Sequence, residues 1–484
     1  MIKISNHYIS KVVSALLFAE LLILGVSVYF GAGIRYVSDI NFSSPNFNSS
    51  FVSACIFALV MVFSMSALGM YQHNLKEGYR NTILRLMLSL ALGFFIITMI
   101  FYLVPEISLG RGILRLAIVV AAVGILLTRY LFINSSIFNL LKSRVIILGV
   151  SSLAKECSDL AVQIGHIGHY RYHIIGFVSM QDEEECRVPS SAVLPVGESL
   201  LLTVTKYNAN EIIVAVKNRR NSNINSTGMF RATMSPNIRK PIDELLECKL
   251  AGVEVIDAAT FFEREAFQIR VDSLQPSWLV FGGGFDQSFL RTFSKRVFDL
   301  FASLILLLVT LPVMLVTSLC IFLEDRAPIL YRQERVGKNE KPFMVLKFRS
   351  MRNDAEIAGE PQWATTNDPR MTKVGRIIRK LRIDELPQIL NVLKGDMSFV
   401  GPRPERPYFV KKLCEEITYY SVRHSVKPGI SGLAQVRYQY GASVHDAIQK
   451  LQYDLYYVKN NSLFLDFLIL IDTLRVVLTG HGAR

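Results

Sequence analysis

Four apolar runs open this chain, at 12–34, 51–70, 86–104 and 116–133, and a fifth at 300–323 holds 24 residues without one charge. Each is near the ~20 residues a helix needs to cross a bilayer. A chain of 484 residues with 51% hydrophobic and 19% charged side chains, gathered this way, is neither disordered nor an ordinary soluble enzyme. The first run is longer than the ~7–15 residue core of a signal peptide and no A-x-A site follows it, so it reads as an uncleaved span. Lys3 and Lys11 precede the first span, Lys76, Arg80 and Arg85 lie between the second and third, and Lys142 and Arg144 follow the fourth. The first outer loop has only Arg35 beside Asp39, which favours both termini inside, with Arg111 and Arg115 in the last outer loop weighing against it. No internal acid–base pair is evident in these spans, so residues 1–135 are expected to form a four-helix transmembrane anchor.

Residues 136–285 change character. Apolar strand patterns at 143–149, 172–178, 211–216 and 253–256 alternate with helical stretches near 200–207 and 242–250. That alternation predicts a parallel, Rossmann-like α/β sheet. The turn after its first strand, Gly149 to Ala154, has Ser151 where a dinucleotide fingerprint needs its middle glycine, and no Tyr-x-x-x-Lys pair occurs here. An NAD-dependent nucleotide-sugar enzyme centred on this domain is therefore a rival reading and not the favoured one. His166, His169 and His173 have helical spacing, but Gly165 and Gly168 point to a surface turn beyond the end of a helix. The six cysteines show no CxxC spacing and read as free thiols.

The basic charge is concentrated late. Residues 291–484 hold 29 Lys/Arg against 19 Asp/Glu, and residues 1–290 hold 24 against 21. Phosphates, nucleotides and lipid headgroups are the anionic partners this points to, with no nucleic acid among them. Pro312 sits in the middle of the fifth apolar run, and basic residues flank both ends: Arg291, Lys295 and Arg296 before it, Arg326, Arg332, Arg335 and Lys338 after it. A straight span would put one basic flank outside. A re-entrant helix pair over 297–323, broken at Pro312 and returning to the cytoplasmic side, keeps both inside.

The chemistry follows this hairpin. A strand over 343–351 ends in Lys347 and Arg349, residues 367–370 form a turn, and a basic amphipathic helix over 371–381 suits an anionic membrane surface. Ile383 to Gln388 then open a helix that ends at Gly395. Its first turn predicts Asp384 as N-cap and Glu385 as a dipole partner. The same geometry serves chemistry, because a helix N-terminus attracts phosphate while one carboxylate attacks and its neighbour holds a metal.

Lys-Phe-Arg-Ser-Met at 347–351, Asp-Glu-Leu-Pro-Gln at 384–388, the run 391–405 ending Gly-Pro-Arg-Pro-Glu, Lys-Pro-Gly-Ile-Ser-Gly at 427–432 and Tyr-Tyr-Val-Lys-Asn at 456–460 resemble, in order, the bacterial sugar transferases. These are monotopic polyprenyl-phosphate phosphoglycosyl transferases, and the resemblance covers about 290–484. The whole layout is similar to the large form that begins exopolysaccharide or O-antigen type repeat units at the cytoplasmic face of the bacterial inner membrane. The resemblance implies a mainly helical catalytic domain at 286–484 that transfers sugar 1-phosphate from a UDP-sugar to undecaprenyl phosphate and releases UMP. It implies Asp384 as nucleophile, Glu385 as the Mg²⁺ contact and a covalent aspartyl-phosphosugar. Lys347, Arg349 and Arg403 suit the substrate phosphates. The family often has Ser-Pro at the re-entrant break; here it is Leu311-Pro312, with Thr310 placed to take a freed carbonyl. The upstream parts are left for assembly, regulation or homo-oligomer formation, and a non-catalytic assembly scaffold is the second rival.

Overall fold

A computed structural model of the chain describes residues 2–4, 7–9, 11–38, 47–71, 79–134, 143–167, 172–179, 186–195, 199–216, 241–273, 285, 288–326, 328–352, 370–438, 441 and 443–479. Asp39, Lys76, Lys142, His169 and residues 367–369 lie outside them. The chain divides into two compact units, mainly Tyr8–Ala266 and Phe267–Arg484. Residues 267–285, read from the sequence with the α/β domain, fall within the second unit. Phe267 packs edge-on against Tyr456, and Ile269 is buried in the second unit's core with its N–H donating to Gln452 O at 3.0 Å.

In the first unit, α1 (Lys11–Ser38), α2 (Phe47–Ala67), α3 (Tyr79–Leu103) and α4 (Arg111–Asn134) form the apolar block. α1, α3 and α4 are long and apolar enough to cross a membrane; the described apolar stretch of α2, Phe51–Ala67, is shorter. Phe57, Met61, Met65, Leu90, Ile97 and Ala121 pack inward, while Phe18, Phe30, Phe95 and Val119 face out. Apolar surface on both sides is what a lipid-facing bundle requires. One expectation fails here. Glu20 of α1 and Arg129 of α4 form a buried acid–base pair, with Arg129 Nε on Glu20 Oε1 at 2.6 Å and Arg129 Nη1 on Met70 O at 3.1 Å. The partners are 109 residues apart in sequence, so no local spacing announces them.

The α/β part has β1 (Ser143–Leu148), β2 (Tyr172–Val178), β3 (Glu211–Val214) and β4 (Glu254–Asp257), all parallel, in the order β2-β1-β3-β4. Ile146, Ile147 and Ile213 are fully buried, as strands covered on both faces demand. After β1 the chain turns at Gly149, whose φ is +124°, into α5 (Ser152–Ile167). α5 therefore includes His166, which the sequence places in a turn, whereas His173 sits on β2. Ser151 Oγ donates to Ala215 O at 3.3 Å, and Ala154 is buried.

The second unit begins with the long helix α6 (Phe289–Asp325), 37 residues that run through Pro312. The expected helix pair is thus a single element. Proline deletes one N–H, so only the carbonyl of Leu308 loses its donor and the flanking turns keep theirs. Thr310 does not take that carbonyl; its Oγ1 donates to Leu306 O at 2.7 Å. Both flanks of α6 dock on this one unit. At one end Lys295 Nζ reaches Asp466 Oδ2 at 2.7 Å and Val400 O at 3.1 Å. At the other, Glu324 Oε1 accepts the N–H of Lys373 at 2.7 Å, and Ile321 is buried against Phe348 and Ile378. Between them Phe301, Leu308, Val309, Leu315 and Leu319 stay exposed.

Candidate active site

The site is assembled on a hairpin. β5 (Leu330–Val336) pairs antiparallel with β6 (Pro342–Phe348), which carries Lys347; Arg349 follows just past its end, buried, with its N–H on Ile329 O at 2.9 Å. α7 (Lys373–Lys380) and then a 3-10 turn, Ile383–Glu385, lead to the short helix α8 (Gln388–Lys394). The carboxylates sit on the 3-10 turn, entered through Arg382 at φ 57°, and Pro387 takes the cap position of α8. Asp384 is therefore not the N-cap the sequence predicts. Pro387 favours the start of a helix, and the turn before it closes separately. A seven-residue helix also contributes little dipole, so side chains set the charge here.

Two devices hold α8 against the hairpin. Asn391 mimics a strand edge: its Nδ2 donates to Met344 O at 2.7 Å, and its Oδ1 accepts Leu346 N–H at 2.9 Å. Arg296 of α6 donates to the last carbonyls of α8, Val392 O at 2.6 Å and Leu393 O at 2.7 Å. Ile383 and Leu386, on either side of the carboxylates, pack with Met314 of α6 in one small apolar cluster. Pro312 lies two residues from that contact.

Behind the turn, β7 (Ser398–Val400) and β8 (Gly429–Ser431) pair in parallel and launch the loop 401–406. Gly401 and Gly429 approach so closely that a Cβ on either would strike the other residue's backbone. The loop delivers Arg403, whose Nη2 donates to Glu385 Oε1 at 2.8 Å; Lys347 Nζ reaches the same oxygen at 2.9 Å. Lys347 and Arg403 are thus brought onto the dyad. Arg349 follows Lys347 by two residues on the same strand path, which places it beside the site.

The adjacent acids have opposite electrostatics. Burial works to raise the Glu385 pKa, but Arg403 and Lys347 outweigh it and hold the carboxyl well below its usual range. Burial raises Asp384, and the charge of Glu385 adds to this against Lys347, Arg379 and Arg403. Among the described residues no hydrogen bond reaches the Asp384 carboxylate. A carboxylate without a fixed donor, beside one whose Oε1 is held by two cations, is an available nucleophile.

Sequence reasoning missed the framework of buried polar residues. Asp299 Oδ1 accepts from Ser398 Oγ and Phe399 N–H, each at 3.0 Å. Tyr457, part of the 456–460 motif, is wholly buried; its hydroxyl donates to Val400 O at 2.9 Å and meets Asp466 Oδ1 at 2.7 Å. The signal available was a lone Asp at the edge of an apolar run and a Tyr pair in the last turns of the helix Val444–Asn460, each of which has many ordinary readings.

Known proteins share this arrangement's sequence. The description "Bacterial sugar transferase" matches residues 290–480. The exopolysaccharide production protein PSS of Rhizobium leguminosarum bv. phaseoli is 44% identical over 195 residues, 39% of this chain and 97% of that protein. The chain belongs to the bacterial sugar transferase family. A UDP-N-acetylgalactosamine-undecaprenyl-phosphate N-acetylgalactosaminephosphotransferase of Aeromonas hydrophila is 45% identical over 240 residues, 50% of this chain and 56% of that one. An undecaprenyl-phosphate glucose phosphotransferase of Komagataeibacter xylinus is 42% identical over 194 residues, 39% of this chain and 36% of that protein. The matches thus span about half, or less, of these two relatives. The sugar transferase match begins inside α6 and takes in the hairpin, the dyad and the Arg403 loop, so every element of the site lies within it.

Proposed function

We propose that the chain is a membrane-bound phosphoglycosyl transferase that moves sugar 1-phosphate from a UDP-sugar to undecaprenyl phosphate and releases UMP. The observation that carries this is the dyad: Glu385 held at Oε1 by Lys347 and Arg403, and Asp384 buried beside it with a raised pKa and, among the described residues, no hydrogen-bond donor. An oxygen of the Asp384 carboxylate attacks the phosphorus that bears the sugar, and the bond to UMP breaks with the electron pair leaving on UMP. A phosphate oxygen of undecaprenyl phosphate then attacks that phosphorus, the acyl–phosphate bond breaks and the carboxylate is restored. Each step joins anions, so Lys347, Arg379, Arg403 and Arg349 serve to offset the repulsion between them.

The donor set fits Mg²⁺. Both cations engage Oε1 of Glu385, which leaves Oε2 as a hard oxygen ligand of the kind Mg²⁺ prefers alongside substrate phosphate. Glu385 would hold the ion, and when bound it supplies charge neutralisation to the diphosphate.

The docking of both ends of α6 on one unit supports a monotopic arrangement, since a spanning helix would leave one flank across the bilayer from the domain. In this reading α6 lies in the inner leaflet of the bacterial cytoplasmic membrane, with the domain on the cytoplasmic face. The apolar cluster of Ile321, Phe348 and Ile378, against which Met314, Ile383 and Leu386 all pack, then brings the dyad to the lipid acceptor. The relatives are named for N-acetylgalactosamine and for glucose, and the sugar used by this chain is a matter for assay. The test is UMP release by the detergent-solubilised protein with undecaprenyl phosphate and a panel of UDP-sugars. One sugar should support turnover that depends on the lipid for repeated cycles; no release with any member of the panel would overturn the proposal.

A further inference from the structure

The main chain that carries Arg403 is held at nearly every carbonyl. Val400 O accepts from Tyr457 Oη at 2.9 Å and Lys295 Nζ at 3.1 Å. Pro402 O accepts Gly429 N–H at 2.9 Å. The next three carbonyls each take a different donor: Arg403 O from Arg423 Nη2 at 3.0 Å, Pro404 O from Arg335 Nη1 at 3.0 Å, and Glu405 O from Val336 N–H at 2.9 Å. The rings of Pro402 and Pro404 fix φ on either side of Arg403. What freedom remains belongs to the arginine side chain, and that ends on Glu385.

The two arginine clamps are themselves braced. Arg423 is buried, with Nε on Asp454 Oδ2 at 3.0 Å and Nη1 on the Tyr420 hydroxyl at 2.7 Å. Arg335 has Nε on Gln333 Oε1 at 3.0 Å and Nη2 on the same oxygen at 2.5 Å. A guanidinium held along one edge and aimed with another at a main-chain carbonyl is a rigid strut, which a lysine in its place is not. Arg423 Nη2 is shared: it lies 2.8 Å from Asp454 Oδ2 and donates to Arg403 O at 3.0 Å, so the ion pair itself aims the guanidinium at the loop carbonyl.

We propose that Arg423 and Arg335 are positioning residues for Arg403, fixing the loop so that its guanidinium meets Glu385 and the substrate diphosphate without reordering. This rests on the phosphoglycosyl transferase reading. Donors set in place before the substrate arrives cost no reorganisation at the moment of reaction, and small displacements of such donors are expensive.

The test uses the full chain in detergent and two conservative variants, Arg335→Gln and Arg423→Lys. The lysine keeps a positive charge opposite Asp454 but cannot span Asp454, Tyr420 and the Arg403 carbonyl together. UMP release gives KM for the UDP-sugar and kcat in the wild-type and Arg403→Ala backgrounds. Each variant should raise KM by about tenfold with a smaller change in kcat, and neither should raise it further once Arg403 is alanine. An unchanged KM, or losses that multiply in the Arg403→Ala background, would overturn the proposal. A second arm needs no turnover. The coupling between Arg403 and Glu385 is read as the non-additivity of thermal midpoints for Arg403→Ala, Glu385→Gln and the double variant. It should fall by about half when Arg335 is glutamine; a coupling of unchanged size would contradict the positioning role. A wild-type protein that releases no UMP would sink the functional reading, and the second arm would still decide the positioning.

Discussion

The membrane block and the catalytic unit both bury charge, and they do it in opposite ways. Glu20 and Arg129 answer one another: two hydrogen bonds, at 2.6 and 3.3 Å, close the fork, and the third donor goes to Met70 O. Around Asp384 and Glu385 nothing closes. Lys347 and Arg403 crowd onto one carboxylate oxygen while, among the described residues, no donor reaches the neighbouring carboxylate. Burial of charge is thus common to a structural clasp and to a reactive site, and the balance of partners separates them. An ionisable residue inside a membrane is a functional candidate by default; a closed bidentate fork assigns Glu20 to packing.

That contrast can be broken at its open end first. Glu385→Gln removes the charge that Lys347 and Arg403 face, and UMP release should fall about 10³-fold with the fold retained. Activity near that of the wild type would place Glu385 outside the chemistry. At the closed end, Glu20→Ala leaves Arg129 buried without its partner and should cost about 3–5 kcal/mol of stability. The thermal midpoint in detergent should drop while turnover per folded molecule stays the same, and the swap Glu20→Arg with Arg129→Glu should recover most of the loss. Equal loss in the swap would show that more than the ion pair is at stake.

A truncation sharpens the boundary between the two units. A fragment beginning at residue 267 should fold and turn over; one beginning at 287 lacks Phe267 and Ile269, whose places in the core would be left empty at a cost of about 2–4 kcal/mol. Denaturant midpoints of the two fragments check this. The smallest effect concerns the dyad's own stability. The raised pKa of Asp384 means the folded chain favours its protonated form, so its stabilisation is full below the unfolded pKa of about 3.9 and is lost as pH rises through the folded value. At neutral pH Asp384→Asn should therefore raise the thermal midpoint, by about 1–4 °C. In kcat/KM the acid limb should lie above the ordinary aspartate range, and Glu385→Gln should move it toward lower pH by removing the neighbouring charge.

What the sequence made legible was local. Asp384, Glu385, Lys347 and Arg403 lie in short ordered motifs, and strands at 143–149, 172–178 and 211–216 show as apolar runs because both faces of a parallel sheet are covered. The clasp between Glu20 and Arg129, the reach of Arg423 and Arg335 to the Arg403 loop and the bonds of Asp299 and Tyr457 to the strand 398–400 join segments 20 to 109 residues apart. Such pairings exist only once the chain has folded, and each partner alone looks like an ordinary surface or flank residue. The 3-10 turn under the dyad was missed for a different reason. A cap residue followed by proline predicts the start of one helix, and only the φ of 57° at Arg382 and the cap at Pro387 separate the turn from the helix. The same holds for Pro312, where a helix-breaking residue sits in a helix whose neighbouring turns are intact.

In the proposed reaction Asp384 takes the sugar phosphate onto its own carboxylate. Incubating the purified chain with its UDP-sugar and Mg²⁺, without lipid acceptor, and measuring UMP release together with the mass of the peptide bearing Asp384 tests this directly. The expected result is a burst of about one UMP per active molecule, a sugar-phosphate adduct on Asp384 that undecaprenyl phosphate discharges, and neither signal in Asp384→Asn. An unmodified peptide with UMP released only when lipid acceptor is present, or an unchanged burst in Asp384→Asn, would contradict it.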